Sequence, residues 1–310
     1  MIVVAGEALI DLVPHEEPVG TGPGPGGLPA LAPRLGGGPF NTAVALGRLG
    51  APVAFVSRVS RDGFGEALLG GLRTAGVDVS YVQRGAEPTT LAVASIGADG
   101  SAGYSFYVEG TADRLFDVPG QLPRAVRAMS FGTCSLVLEP GASAYEELLR
   151  AQAARGVFTA LDPNIRAVLI PDADAYRARF KSWLPSVSLL KLSQEDADWL
   201  GGSPQEWLAA GAAAVVVTRG GAGLSVHTRA CGEVRVPGEQ VAVVDTIGAG
   251  DTVNAALLHG LSARDALSAE AVEALSGDAW AEVLRFAARA AAVTCSRAGA
   301  EPPYARELGI

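Results

Sequence analysis

Short continuous apolar runs alternate along this chain with stretches whose apolar residues return at helical spacing. Ile2-Val3-Val4-Ala5 is such a run, closed by Gly6. Others are Val53-Ala54-Phe55-Val56, Met129-Ser130-Phe131-Gly132, Val157-Phe158-Thr159-Ala160-Leu161, Leu189-Leu190-Lys191-Leu192, Ala214-Val215-Val216-Val217 and Val241-Ala242-Val243-Val244. Runs with no polar face predict strands buried on both sides, as in a parallel sheet. Between them the spacing predicts helices from Pro39 to a stop at Gly50, Phe64 to Ala75, Ala144 to Arg155 and Trp280 to Ser296. From residue 125 onward strands and helices alternate with short links, which predicts a doubly wound α/β sheet flanked by helices.

Two stretches interrupt this alternation. Thr89 to Ile96 and Tyr104 to Val108 read as strands with Asp99-Gly100 in the turn between them, a hairpin signal. Residues 17–33 are crowded with Gly and Pro, and no regular element fits their densest part. Segments 12–33 and 88–112 together predict a small β lid on a single domain spanning 1–310. Its open face would be exposed unless it closed over a ligand or met a second copy, so a homodimer through the lid is expected.

The most informative stretch is Asp245-Thr246-Ile247-Gly248-Ala249-Gly250-Asp251-Thr252. It joins a predicted strand to a predicted helix through a turn of small residues, so a ligand can approach its backbone. The helix start offers unpaired N–H groups to an anion such as phosphate. Asp251 puts a carboxylate beside that place. A phosphate-binding turn gains nothing from the repulsion, whereas a base beside a phosphoryl acceptor would. The plainer alternative is that Asp251 caps the helix.

Other candidates fall after predicted strands, where open α/β sheets bind ligands. Asp11 follows the first strand, and Asp162, Asn164 and Arg166 follow the strand that starts at Val157. Without further context these also read as a solvated loop acid and an Asx turn before Pro163. Gly36-Gly37-Gly38-Pro39-Phe40-Asn41 opens a helix, but its spacing fails the dinucleotide fingerprint at Asn41.

Composition narrows the function classes. Of the 310 residues, 49% are hydrophobic and 18% charged, ample for a large core. The formal net charge is -9, which disfavours a nucleic-acid binder because that needs a basic face. No apolar run approaches the ~18 residues that span a bilayer, and no basic segment precedes Ile2, so neither a membrane anchor nor a secretory signal is expected. Cys134, Cys231 and Cys295 show no zinc or disulfide spacing and read as reduced thiols of a cytoplasmic protein.

The string Asp245-Thr246-x-Gly248-Ala249-Gly250-Asp251-Thr252-x-Asn254-Ala255 resembles the C-terminal signature of the ribokinase-like (PfkB) carbohydrate kinases. Gly36 to Asn41, with Arg48-Leu49-Gly50 and Asp62-Gly63-Phe64-Gly65, resembles the N-terminal signature of that family. Gly6-Glu7-Ala8-Leu9-Ile10-Asp11, Gly110-Thr111-Ala112-Asp113 and Asp162-Pro163-Asn164-Ile165-Arg166 are similar to strings of fructokinases.

The resemblance implies a ribokinase-like α/β fold and transfer of the γ-phosphoryl group of ATP to a sugar hydroxyl, with D-fructose the leading acceptor. 2-Keto-3-deoxygluconate, ribose or a nucleoside are alternative acceptors, and a non-catalytic sugar or nucleotide sensor is the alternative of another class. By the same resemblance Asp251 is the base, with Gly248, Ala249 and Gly250 offering N–H groups to the phosphoryl. Asp11, Gly37, Gly38, Asn41, Phe106 and Arg166 would hold the sugar, and Ser193, Thr218, Gly220 and Gly223 the nucleotide. Where the family has Asn-x-x-Glu near Mg²⁺, this chain has Ser193-x-x-Asp196, with Glu195 alongside. Asp245 and carbonyls near residue 299 are implied for a monovalent cation such as K⁺. Ketodeoxygluconate kinases carry an Arg where this chain has Val108, which argues against an acidic sugar.

Overall fold

The computed structural model describes residues 1–14, 30–96, 102–120 and 122–310. The Asp99-Gly100 turn and the densest Gly/Pro stretch lie outside these residues.

The strands are β1 (Ile2–Ala5), β2 (Leu9–Pro14), β3 (Leu31–Gly36), β4 (Val53–Ser60), β5 (Val82–Gly85), β6 (Leu91–Ile96), β7 (Ala102–Tyr107), β8 (Ala128–Gly132), β9 (Phe158–Asp162), β10 (Leu189–Ser193), β11 (Ala214–Thr218), β12 (Leu224–Thr228) and β13 (Gly232–Val236). The α-helices are α1 (Gly38–Arg48), α2 (Gly63–Thr74), α3 (Gly141–Ala154), α4 (Ala173–Trp183), α5 (Gln194–Leu200), α6 (Pro204–Ala209), α7 (Ala249–Ala263), α8 (Ala269–Ala274) and α9 (Gly277–Cys295).

Nine strands form one sheet in the order β13-β12-β11-β10-β9-β8-β1-β4-β5. Pairing is parallel from β11 to β5, and β12 and β13 add an antiparallel edge. The all-apolar β1 shows why its residues take this place. Ile2 and Val4 enter one core with α1, α7 and α9, while Val3 and Ala5 enter a second core with α3, α4 and α6. Side chains alternate across a strand, so a strand apolar at every position is stable only between two helical layers.

A smaller sheet, β3-β2-β6-β7, lies over the carboxyl end of β1, to which Gly6-Glu7-Ala8 connects it. β2 pairs antiparallel with β3 and parallel with β6, which pairs antiparallel with β7. β3 forms at the edge of the Gly/Pro-rich stretch that predicted no element, its Pro33 on an edge strand where no ladder N–H is required.

One predicted strand is not a strand. Val241 to Val244 have no strand partner, and Val243 and Val244 are each 62% exposed. The N–H groups of Val244 and Asp245 instead donate to the Cys295 carbonyl at the end of α9. Val241 and Val243 line a cavity.

Candidate active site

The parallel strands end on a common edge, and two cavities open there. The first, of about 270 Å³, is lined by Glu7, Asp11, Asn41, Phe106, Arg166 and Asp251 together with Gly37, Gly38 and Gly248. The second, of about 460 Å³, is lined by Ser193, Thr218, Gly220 and Gly223, and by the apolar Val241, Val243 and Leu224. Asn164, Thr246 and Gly250 line both, so the cavities meet at the turn before α7.

Two helices start at this junction without side-chain caps. Gly248 precedes α7 in the left-handed region (φ 75°), where an added Cβ would stand 2.6 Å from the Ala300 Cβ. Gly37 precedes α1 at φ 105°. Both helices therefore aim first-turn N–H groups at the cavities. Asp251 sits in the first turn of α7 but does not cap it. Its Oδ2 accepts a hydrogen bond from Asn41 Nδ2 at 2.9 Å, which brings the two signature strings together across 210 residues. Oδ1 faces Gly38, where an added Cβ would lie 3.3 Å from it and 3.2 Å from Asn164 Nδ2. A glycine there leaves the approach to Oδ1 open.

Burial pushes the Asp251 carboxyl up to about 6. The hydrogen bond from Asn41 opposes this, the Asp162 charge adds to it, and Lys191 and Arg166 oppose it. Asp11 is also pushed up to about 6 by burial, against the pull of Arg166. Its carboxylate fits because Gly36 on the neighbouring strand has no side chain to collide with it. Arg166 Nη1 donates to Asn164 Oδ1 at 2.9 Å and to the Asn164 and Ile165 carbonyls, each at 3.1 Å. Tyr104 and Phe106 alternate with Ser105 and Tyr107 on β7, so the first pair lines the cavity while Tyr107 is 62% exposed.

Asp196 is committed to the backbone. Its Oδ1 accepts from Ile165 N at 2.8 Å, its Oδ2 from Ser193 N at 3.1 Å and Oγ at 2.8 Å, and Ser193 Oγ accepts from Asp196 N, a capping box on α5. Glu195, expected beside it as a metal ligand, is exposed and is not brought into either cavity, because one step along a helix turns the side chain by about 100°. Asp245 accepts from Ile247 N at 3.0 Å and Gly299 N at 2.9 Å, tying the turn before α7 to the chain after α9.

The profile described as pfkB family carbohydrate kinase matches residues 1–306. The chain belongs to that family. This kinase is 40% identical over 288 residues to a fructokinase of Rhizobium leguminosarum bv. trifolii, covering 90% of the chain and 85% of the relative. It is 33% identical to fructokinase-2 of Solanum lycopersicum, with 97% and 92% covered. Among solved structures, the fructokinase with bound ATP from Xylella fastidiosa superposes with a TM-score of 0.88 at 28% identity, covering 99% of this chain and 96% of that one. The aminoimidazole riboside kinase from Salmonella enterica shares the fold, with a TM-score of 0.83 at 23% identity over 99% and 98% of the chains.

The structure also brings into the kinase's site residues that the sequence did not single out. Lys191, read only as part of a strand, puts Nζ 2.7 Å from Asp162 Oδ2, both side chains about 5–6% exposed. Nζ lies 3.0 Å from where a Cβ on Gly250 would stand. Burial works against its ammonium, and Asp162 and Asp251 more than offset that. A lysine inside an apolar strand was the available signal, because a lysine is almost never fully buried unpaired. Glu7 is 1% exposed and pushed up to about 7 by burial, with Oε2 accepting from Ser135 N at 3.0 Å. Among the described residues, no helix is long and apolar enough to cross a membrane.

Proposed function

We propose that this sugar kinase transfers the γ-phosphoryl group of ATP to a hydroxyl of D-fructose. The observation that carries the reading is the meeting of the two cavities at Gly250, with Asp251 on the acceptor side. The larger cavity has a glycine turn for phosphates and the apolar wall of Val241, Val243 and Leu224 for a base and ribose. That use of Val241 and Val243 accounts for apolar side chains that lie outside the sheet. The ATP-bound relative supports the same assignment.

The acceptor cavity explains the choice of a neutral sugar. Among the described residues, Glu7, Asp11 and Asp251 put three carboxyl groups on its wall against one cation, Arg166. Arg166 is balanced by Asp11 and already donates to Asn164. Arg114 is engaged by Glu109 and by the Val108 and Glu139 carbonyls and does not line the cavity. A carboxylated acceptor would add a fourth acid to this wall and compete with Asp11 for Arg166, at a cost of several kcal/mol. The names of the relatives in the Rhizobium and tomato comparisons support fructose itself.

In the transfer Asp251 Oδ1 accepts the hydroxyl hydrogen bond while Asn41 holds Oδ2. Phosphoryl transfer is loose, so the hydroxyl keeps its proton until the acceptor bond is well advanced, and Asp251 takes it late. First-turn N–H groups of α7 and the Lys191 ammonium stabilise the charge on the moving phosphoryl. Among the described residues no group of three His, Cys, Asp or Glu could hold a metal. Mg²⁺ would arrive on the ATP phosphates, where it would neutralise their charge, and Asp196, whose oxygens are engaged, would hold it through water. By the family resemblance, Asp245 would hold a monovalent cation such as K⁺. The four-stranded sheet acts as the lid, and Tyr107 and Leu35 on it offer apolar surface to a second copy.

A side-by-side assay of D-fructose and 2-keto-3-deoxygluconate at subsaturating concentrations tests the reading. A higher kcat/KM for fructose is expected. A higher value for the acid would show that Arg166 pairs with a substrate carboxylate.

A further inference from the structure

Behind the Asp251 carboxylate lies a chamber of about 10 Å³, bounded by Thr42, Ser130, Thr133, Asp162, Asp251 and Asn254. That is close to the least space that holds one water molecule. Two atoms on its wall, Asp162 Oδ1 and Asn254 Oδ1, are buried and meet no hydrogen-bond partner. Asp162 is 5% and Asn254 3% exposed. Both residues are otherwise engaged: Asp162 Oδ2 accepts from Lys191 and Asn254 Nδ2 donates to Ser130 Oγ at 3.0 Å. Buried polar atoms are rarely left unsatisfied. Two unpartnered acceptors on residues of one small chamber call for a small ligand with two donors, and hydroxyls among its lining residues can donate to that ligand's oxygen.

We propose that this chamber binds one structural water bridging Asp162 Oδ1 and Asn254 Oδ1, and that Asn254 acts through it as a positioning residue for the catalytic base. The bridge fixes Asp162, Asp162 fixes Lys191, and Lys191 lies under Gly250. Asp162, Lys191 and Arg166 act on the Asp251 charge, and Glu7 and Asp11 share the acceptor-cavity wall with it. From α1 it meets the uncharged Asn41 and Thr42. From α9, Thr294 bonds the neighbouring Thr252 instead.

The inference rests on Asp251 being the base, but its test separates the two. A crystal structure of the full chain with Mg²⁺–ATP at a resolution that shows ordered water is expected to place one water within hydrogen-bond distance of both orphan oxygens. A chamber without it overturns the proposal, whatever the role of Asp251. Asn254→Leu fills the chamber with apolar atoms. Loss of the bridge loosens Asp162 and with it Lys191, whose ammonium holds the Asp251 carboxyl down, so the acid limb of the kcat profile is expected to move up by roughly half a pH unit to one unit. Fructose KM should stay within about twofold, since Asn254 does not line the acceptor cavity. Asn254→Ser, which keeps a hydroxyl and room for water, is expected to leave the limb near its original place. A Leu variant that folds and keeps the limb unmoved, or a Ser variant that shifts it as far as Leu does, overturns the positioning role.

Discussion

Asp251→Asn should inactivate the protein while making it more stable. The carboxyl of Asp251 moves from an ordinary 3.8 up to about 6 on folding, mainly because it is buried. At about 1.4 kcal/mol per pH unit, the ionised group costs the folded state on the order of 3 kcal/mol. The sign follows from linkage. Below pH 4 both states are protonated and there is no cost. The cost grows as pH rises from about 4 to about 6 and is complete above that. At pH 7.5 an Asn of the same shape escapes it while still accepting from Asn41. Side-chain reorganisation takes back part of the gain, so an increase of about 1–2 kcal/mol is the expected outcome, or a Tm higher by several degrees. The kcat should fall by a factor of about 10² or more, the scale for a positioned base. Paired thermal unfolding and ADP-release assays at pH 7.5 measure both. A variant with near-wild-type kcat would refute the base. An inactive variant that is also less stable would show that the carboxylate serves the fold.

Activity should have an acid limb near pH 6, because Asp251 and Asp11 both titrate there and both are needed ionised; a kcat/KM profile flat down to pH 5 would contradict this. Lys191→Met leaves Asp162 buried without its partner, so it should destabilise by about 3–5 kcal/mol and lower kcat. Adding Asp162→Asn should restore most of the stability and little of the activity, as read by denaturant unfolding beside turnover. Excess EDTA should abolish turnover and added Mg²⁺ should restore it, since the described residues offer no cage that would retain the ion; undiminished turnover would sink the metal requirement.

Much of this was legible in the sequence because the informative residues obey local rules. The all-apolar β1 could only sit inside a two-sided sheet, and the Gly-Ala-Gly turn could only be an open helix start. The meeting of Asp251 with Asn41 follows from the two signatures, although their 210-residue separation hides the contact itself. What escaped was non-local. Val241 to Val244 match a buried strand in every local respect, yet they pair with no strand, and Val241 and Val243 line a cavity. The acid pair expected at 195 and 196 divides because a helix sends neighbours in different directions. Lys191 and Glu7 gain their meaning only from burial beside other charges, which no spacing records. β3 was invisible because its Gly/Pro-rich surroundings weigh against any element until β2 is there to pair with it.

The most direct test is ³¹P NMR of the protein with Mg²⁺–ATP and D-fructose. The account predicts a phosphomonoester resonance that grows one-for-one with ADP and is absent without the sugar. ADP with inorganic phosphate and no phosphomonoester, or no ADP at all, would contradict it.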